Sequence, residues 1–93
     1  MAVGLYFQPA GLTPAKYDDV IKQLDQAGAG FGSVPGRTVH CAMEADGAVR
    51  VFEVWGSMEQ FQKFAETLGP ILRTLGVDPS QPQVMTVHNV QTG

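Results

Sequence analysis

Within VHCAMEADGAVRVFEVW, Val39 to Trp55, a histidine, a glutamate and a tryptophan interrupt two runs that otherwise suit buried strands. An imidazole beside a carboxylate makes an acid–base pair, in which the carboxylate orients the ring and raises its basicity toward neutral pH. An indole next to them adds a flat apolar face and one N–H donor. His40 and Glu53 are therefore the candidate catalytic pair, and Trp55 is a candidate platform for a flat ligand. Such groups are costly to bury without partners, so the strands that carry them must bring the partners together.

Asp46-Gly47 sets that arrangement. As a two-residue turn it pairs Ala45 with Ala48, and counting outward places Ala42 opposite Val51, His40 opposite Glu53 and Thr38 opposite Trp55. One face then collects the polar candidates; the other collects Val39, Cys41, Met43, Phe52 and Val54, with Arg50 near the turn. A three-residue turn with a glycine bulge would slip the pairing and set His40 against Phe52. The first register is favoured because it segregates polarity. Two readings of the pair stay open: a base and its orienter at a cavity wall, or a satisfied cross-strand contact at a sheet edge or dimer seam.

The remaining elements follow from periodicity and caps. VGLYFQ, Val3 to Gln8, reads as a first strand. Thr13 caps a helix with Pro14 at its first position, and Tyr17, Val20, Ile21, Leu24 and Ala27 recur on one face until Gly28 ends it. Arg37–Glu44 and Ala48–Trp55 form the hairpin. Ser57 caps a second helix with Met58, Phe61, Phe64, Ala65, Leu68, Ile71, Leu72 and Leu75 on one side, and Gly69-Pro70 predicts a kink or short break in it. GVDPSQPQ is loop, Val84–Val90 the last strand and QTG a tail. The order βαββαβ predicts an α+β, ferredoxin-like domain over residues 1–93: a four-stranded antiparallel sheet with two helices on one face. Its strands are apolar on both sides, so the uncovered face calls for a second copy packed sheet to sheet.

Composition excludes several functions. The chain has 93 residues, enough for one domain, with 44% hydrophobic and 16% charged residues; soluble domains average about 25% charged, and so low a value suits a homodimer with apolar surface to hide. A net charge of −3 with scattered Lys and Arg argues against nucleic acid. No apolar run is long enough to span a membrane, and no leader pattern precedes the first strand, so the expected location is the cytoplasm. The single cysteine, Cys41, rules out an internal disulfide and multi-cysteine metal sites. His40 and His88 lie on strands at opposite sheet edges, about three strand spacings or 14 Å apart, so they share no metal within one subunit. No cofactor is expected. His88 is a possible second site or dimer-seam residue, or a structural one near Asn89. GAGFGSVPG is rich in glycine, but it follows a helix and opens a strand, the reverse of a phosphate-binding loop; Phe31 within it is expected inward or over a cavity mouth. Tyr6, Phe61 and Phe64 join Trp55 as candidates for binding a small apolar or aromatic molecule, unless the phenylalanines and Met58 simply fill the space.

A first strand leading to LTP, the run VRVFEVWGSMEQFQKFAETLGPIL and the terminal VMTVHNV resemble the dimeric α/β-barrel superfamily, including its antibiotic-biosynthesis-monooxygenase-like members. The resemblance implies a homodimer with Trp55 in a helix-side pocket, and an activity of a cofactor-independent monooxygenase, cyclase or isomerase kind; a non-catalytic binding or dimerisation module is the alternative. It also marks departures. Haem-degrading relatives carry an axial histidine on the second helix, and none occurs between Ser57 and Leu75. Quinol oxygenases place an asparagine four residues before the tryptophan and a tyrosine on the second helix, where this chain has Val51 and Phe61 or a neighbour.

Overall fold

The computed structural model describes residues 2–78 and 81–92; Pro79 and Ser80 of the expected loop and Gly93 of the tail lie outside them. The elements run β1 (Val3–Phe7), α1 (Pro14–Gln26), β2 (Arg37–Ala45), β3 (Ala48–Trp55), α2 (Met58–Thr74) and β4 (Gln83–Thr86). The antiparallel sheet has the order β2-β3-β1-β4, so β2 and β4 are its edges. Both helices lie on one face, giving the expected ferredoxin-like α+β arrangement.

The caps act as their residue types dictate. Thr13 Oγ1 accepts from Lys16 N–H at 3.2 Å, and Ser57 Oγ accepts from Gln60 N–H at 3.2 Å, each satisfying a donor that the first helical turn leaves free. α1 ends where Gly28 turns left-handed (φ 77°) and Ala29 N–H reaches back to Leu24 O at 2.8 Å, a Schellman closure that glycine permits without steric penalty. α2 runs on through Pro70 with no break, which corrects that part of the sequence expectation. Pro70 sits exposed, as does Glu66 four residues before it, whose carbonyl a proline cannot bond, and Phe61, Phe64 and Leu72 keep the helix packed in the core.

The hairpin adopts the favoured register: Ala45 pairs with Ala48, Ala42 with Val51 and His40 with Glu53. Asp46 (φ 55°) and Gly47 (φ 78°) are both left-handed, as a type I′ turn requires. The expected pairing of Thr38 with Trp55 is corrected. A bulge at Thr38 sets Arg37 against Trp55 and Val39 against Val54. The extra residue reverses the alternation, so Arg37 joins His40 on the helix-covered face.

β4 is shorter than the expected Val84–Val90. β1 offers partners only from Val3 to Tyr6, and after a last bond from Val87 N–H to Ala2 O at 3.1 Å the chain has run past the strand it pairs with. The core between sheet and helices contains Leu5, Trp55 and Val77, which are fully enclosed, with Leu12, Val20, Leu24, Val49, Val51, Phe61, Phe64 and Leu72 around them.

Candidate functional site

Among the described residues Glu53 is the charged residue enclosed in that core, 3% exposed. It sits mid-strand in β3, on the same face as Val51 and Trp55, and β2 supplies its partners. His40, directly opposite, donates from Nδ1 to Oε2 at 2.6 Å; Arg37, redirected by the bulge, donates from Nη1 to the same oxygen at 3.1 Å. Trp55 Nε1–H, two residues along the strand, donates to Oε1 at 3.0 Å. Removing a carboxylate from water costs several kcal/mol, and here a guanidinium and two N–H donors offset it. Among the described residues no buried side-chain nitrogen or oxygen lacks a partner.

His40 is held from its other side as well. Nε2 lies 2.6 Å from the Tyr17 hydroxyl, which descends from the first turns of α1. With Nδ1–H committed to the carboxylate, Nε2 of the neutral ring is the acceptor and Tyr17 the donor. The two rings are nearly parallel, with centroids 6.0 Å apart. Burial, reinforced by the negative charge of Glu53, raises the Tyr17 pKa above its ordinary value, against a smaller lowering effect of Arg37. Tyr17 therefore holds its proton throughout the neutral range.

Aromatic rings surround Arg37. Its guanidinium carbon lies 5.1 Å from the ring centre of Phe31, 5.2 Å from that of Phe64 and 5.9 Å from that of Trp55, within cation–π range. Phe31 comes from the glycine-rich loop, 57% exposed, with its centroid 5.1 Å from His40. It covers the outer side of Arg37 and His40 and leaves its own far side in solvent.

Inside, Tyr17, Arg37, His40 and Glu53 form the polar end of a recess of about 60 Å³ whose other walls include Leu12, Val20, Leu24, Val51 and Leu72. The recess is smaller than the roughly 300–1,000 Å³ usual for small-molecule sites. Phe7, Pro9, Leu68 and Leu72, however, are also walls of a surface cleft of about 340 Å³ between α2 and the end of β1, with Phe61 and Gln62 across it.

These positions sort the sequence candidates. His40 and Glu53 meet in the favoured register and both line the recess. Phe61 lines the cleft and packs against Phe7, centroids 5.7 Å apart. Phe64 is a wall behind Arg37 and Trp55 rather than part of the recess. Trp55 departs from the role of an open platform: its ring is fully enclosed between Phe61 and Phe64, and its N–H is already given to Glu53. Tyr6 is also corrected. Leu5 pairs with Glu53, so Tyr6, one residue on, pairs with Phe52 on the opposite face of the sheet. His88 lies exposed beyond β4, on the far edge from His40. Tyr17 and Arg37 are members that the sequence did not single out. Tyr17 looks like one more apolar-face residue of α1, and Arg37 reaches the site only through an unsignalled bulge.

No group of three or more potential metal ligands occurs among the described residues, and no helix among them is long and apolar enough to cross a membrane. No protein-family model matches the chain, and no curated protein is similar to it in sequence. Solved structures are. A provisionally assigned antibiotic biosynthesis monooxygenase from Chloroflexus aurantiacus superposes over 100% of this chain and 98% of its own, with a TM-score of 0.62 at 19% identity. SnoaB, a cofactor-independent oxygenase from Streptomyces nogalater, covers 96% of this chain and 93% of its own, with a TM-score of 0.59 at 18% identity. A provisionally assigned antibiotic biosynthesis monooxygenase from Caulobacter crescentus covers 97% and 91%, with a TM-score of 0.59 at 20% identity. At such identities the likeness is one of fold: the chain has the ferredoxin-like architecture of the antibiotic-biosynthesis-monooxygenase-like proteins over its whole length.

Proposed function

We propose that this chain is a homodimeric acid–base enzyme of the cofactor-independent monooxygenase-like kind, acting on a small apolar or aromatic molecule that carries an acidic proton. The observation that carries the reading is the His40–Glu53 pair at the only polar end of an apolar recess, next to a cleft of small-molecule size. Glu53 fixes the ring through Nδ1 and balances the charge that His40 gains when it takes a proton. Arg37 and Trp55 keep the carboxylate in place. In the oxygenase form of the reaction, proton removal leaves an electron-rich anion that reacts with dioxygen: an activated CH₂ becomes C=O, one oxygen atom staying in the product and the other leaving with two hydrogens as water. The Asn and Tyr that the resemblance associates with quinol oxygenation are absent at Val51 and Phe61, so the acid–base work falls to this different set.

The second copy belongs on the uncovered sheet face. Val39, Cys41, Met43, Phe52 and Met85 share it, with Met43 54% and Met85 40% exposed in the single chain. An identical apolar face packed against it removes both from water.

Oxygen uptake and product formation with a panel of phenols, quinols and anthrone-type ketones under air test the activity. His40→Gln is expected to reduce kcat by about 100-fold or more, the ordinary worth of a positioned base, with the dimer intact by sedimentation. Undiminished turnover would remove His40 from the mechanism. A non-catalytic binding role is the competing reading, favoured by the small recess and by polar groups that already satisfy one another. It gives saturable binding of the same compounds with no oxygen uptake and no product.

A further inference from the structure

The reading above leaves His40 Nε2 as the atom that meets the ligand, yet that atom is engaged. Its lone pair lies 2.6 Å from the Tyr17 hydroxyl, its opposite nitrogen is bound to Glu53, and Phe31 covers the ring from the loop side. Tyr17 is the outer member of the chain of bonds, and it lines the recess beside the apolar walls. We propose that Tyr17 is the catalytic residue that exchanges the proton with the ligand, and that His40 and Glu53 stand behind it as a relay. This deepens the acid–base function and rests on it.

The transfer balances without a further reactant. The ligand's proton passes to Tyr17 Oη as Tyr17's own proton passes to His40 Nε2. The ligand becomes an anion, His40 an imidazolium, and Tyr17 ends with a hydroxyl as it began. Glu53 holds the imidazolium through Nδ1–H, and Arg37 holds Glu53. Return runs the same steps backward, with Tyr17 as acid. A direct transfer to His40 would first require the 2.6 Å bond to Tyr17 to break.

The charges around the hydroxyl suit the role. Glu53 and Arg37 face Tyr17 from the sheet and Asp18 neighbours it on its own helix, while Cys41 acts only weakly from the opposite sheet face. Burial and Glu53 both disfavour tyrosinate, so at neutral pH the hydroxyl is available as a donor and passes its proton on only when His40 receives it. The low exposure of His40, whose side chain is 12% accessible, fits an inner rather than a terminal position.

Three measurements on the full chain test this. The first needs no ligand. The chain has two histidines, and exposed His88 serves as the reference in nitrogen NMR. Tyr17→Phe should shift the His40 Nε2 resonance while the low-field Nδ1–H signal from the Glu53 bond persists; unchanged His40 resonances would mean the Tyr17–His40 bond is not formed, and the relay falls. The second uses 4-nitrophenol as a chromophoric probe with an ionisable hydroxyl. Wild type should bind it and shift its phenol–phenolate balance, and Tyr17→Phe should abolish the shift. Failure of wild type to bind, or the same shift in both proteins, overturns the assignment of Tyr17.

The third is kinetic. On any turned-over substrate, Tyr17→Phe and His40→Gln should each reduce kcat by about 100-fold or more with KM changed little, and the double variant should be no worse than either alone, as for residues acting in one unit. Full activity in Tyr17→Phe beside an inactive His40→Gln would make His40 the contacting base. If the probe responds through Tyr17 but no compound is turned over, the enzymatic reading fails while the proton contact at Tyr17 stands.

Discussion

β3 presents two different surfaces from one sequence. Toward the helices it turns Val49, Val51, Glu53 and Trp55, all buried; away from them it turns Ala48, Arg50, Phe52 and Val54, of which the first two are exposed. Alternation with period two is all that separates a carboxylate with three donors from a more exposed, largely apolar surface that holds Phe52 and the buried Val54. The inner face gains its definition from polarity, since each hydrogen bond requires one geometry. The outer face is defined by shape and apolar area alone, which select no single side chain.

That contrast breaks most sharply at Glu53. Glu53→Gln keeps the size of the side chain but removes its charge and replaces one acceptor oxygen with a donor, leaving Arg37 buried without its counter-charge and at least one of the His40 and Trp55 donors unmatched. Removing one partner of a buried pair typically costs about 3–5 kcal/mol, a large part of the roughly 5–15 kcal/mol total of a small domain. Urea denaturation should show this loss or an unfolded chain. Cys41→Ser, exposed on the outer face one residue from His40, should change the single chain's stability by no more than about 0.5 kcal/mol. Equal effects from the two would mean that the inner network contributes nothing special.

The outer face is tested by charge. Met43→Glu together with Met85→Glu places carboxylates near both edges of the sheet, at positions exposed enough in the single chain for folding to tolerate them. Sedimentation should then give a monomer, with a dimer dissociation constant raised at least ~10-fold, corresponding to about 1.4 kcal/mol; the fold and the Tyr17–His40 bond should persist. An unchanged dimer would place the seam elsewhere.

How far the sequence revealed these two faces depended on whether local or distant chemistry decided each residue. The Asp46-Gly47 turn is local, and with it came the register, the His40–Glu53 pairing and the outer set of Cys41, Met43 and Phe52. The helix caps at Thr13 and Ser57 are local too. Thr38 was different. Its bulge depends on how β2 leaves the preceding loop, and that single extra residue moved Arg37 into the site and displaced Thr38 from Trp55. Tyr17 needed the packing of α1 over β2, which no periodicity encodes, because a tyrosine on an apolar helix face has the same spacing whether or not its hydroxyl finds a partner. The facing of Tyr6 is not legible because a five-residue strand carries no internal mark of which alternate set faces the helices. Gly69-Pro70 carries the signal of a break, but an exposed proline can leave its lost bond to solvent and the helix continues.

The smallest effect expected within the inner face is also the most specific to it. Tyr17 has a pKa above the ordinary tyrosine value of 10.0, because burial and Glu53 disfavour its ionised form. The folded chain therefore holds this proton to higher pH than the unfolded chain does. Below pH 10 both states carry it, and the shift contributes its full stabilisation; above pH 10 the unfolded state loses the proton first, and stability declines until the folded pKa is passed. Stability measured from pH 8 to 11 should thus fall in wild type, and the part due to Tyr17 should vanish in Tyr17→Phe. At neutral pH that variant should lose only about 0.5–1.5 kcal/mol for the bond to His40, far less than Glu53→Gln. A Tyr17→Phe curve parallel to wild type across the alkaline range would mean that the hydroxyl is not held in the inner network, and the two faces would then differ less than the bonds around Glu53 imply.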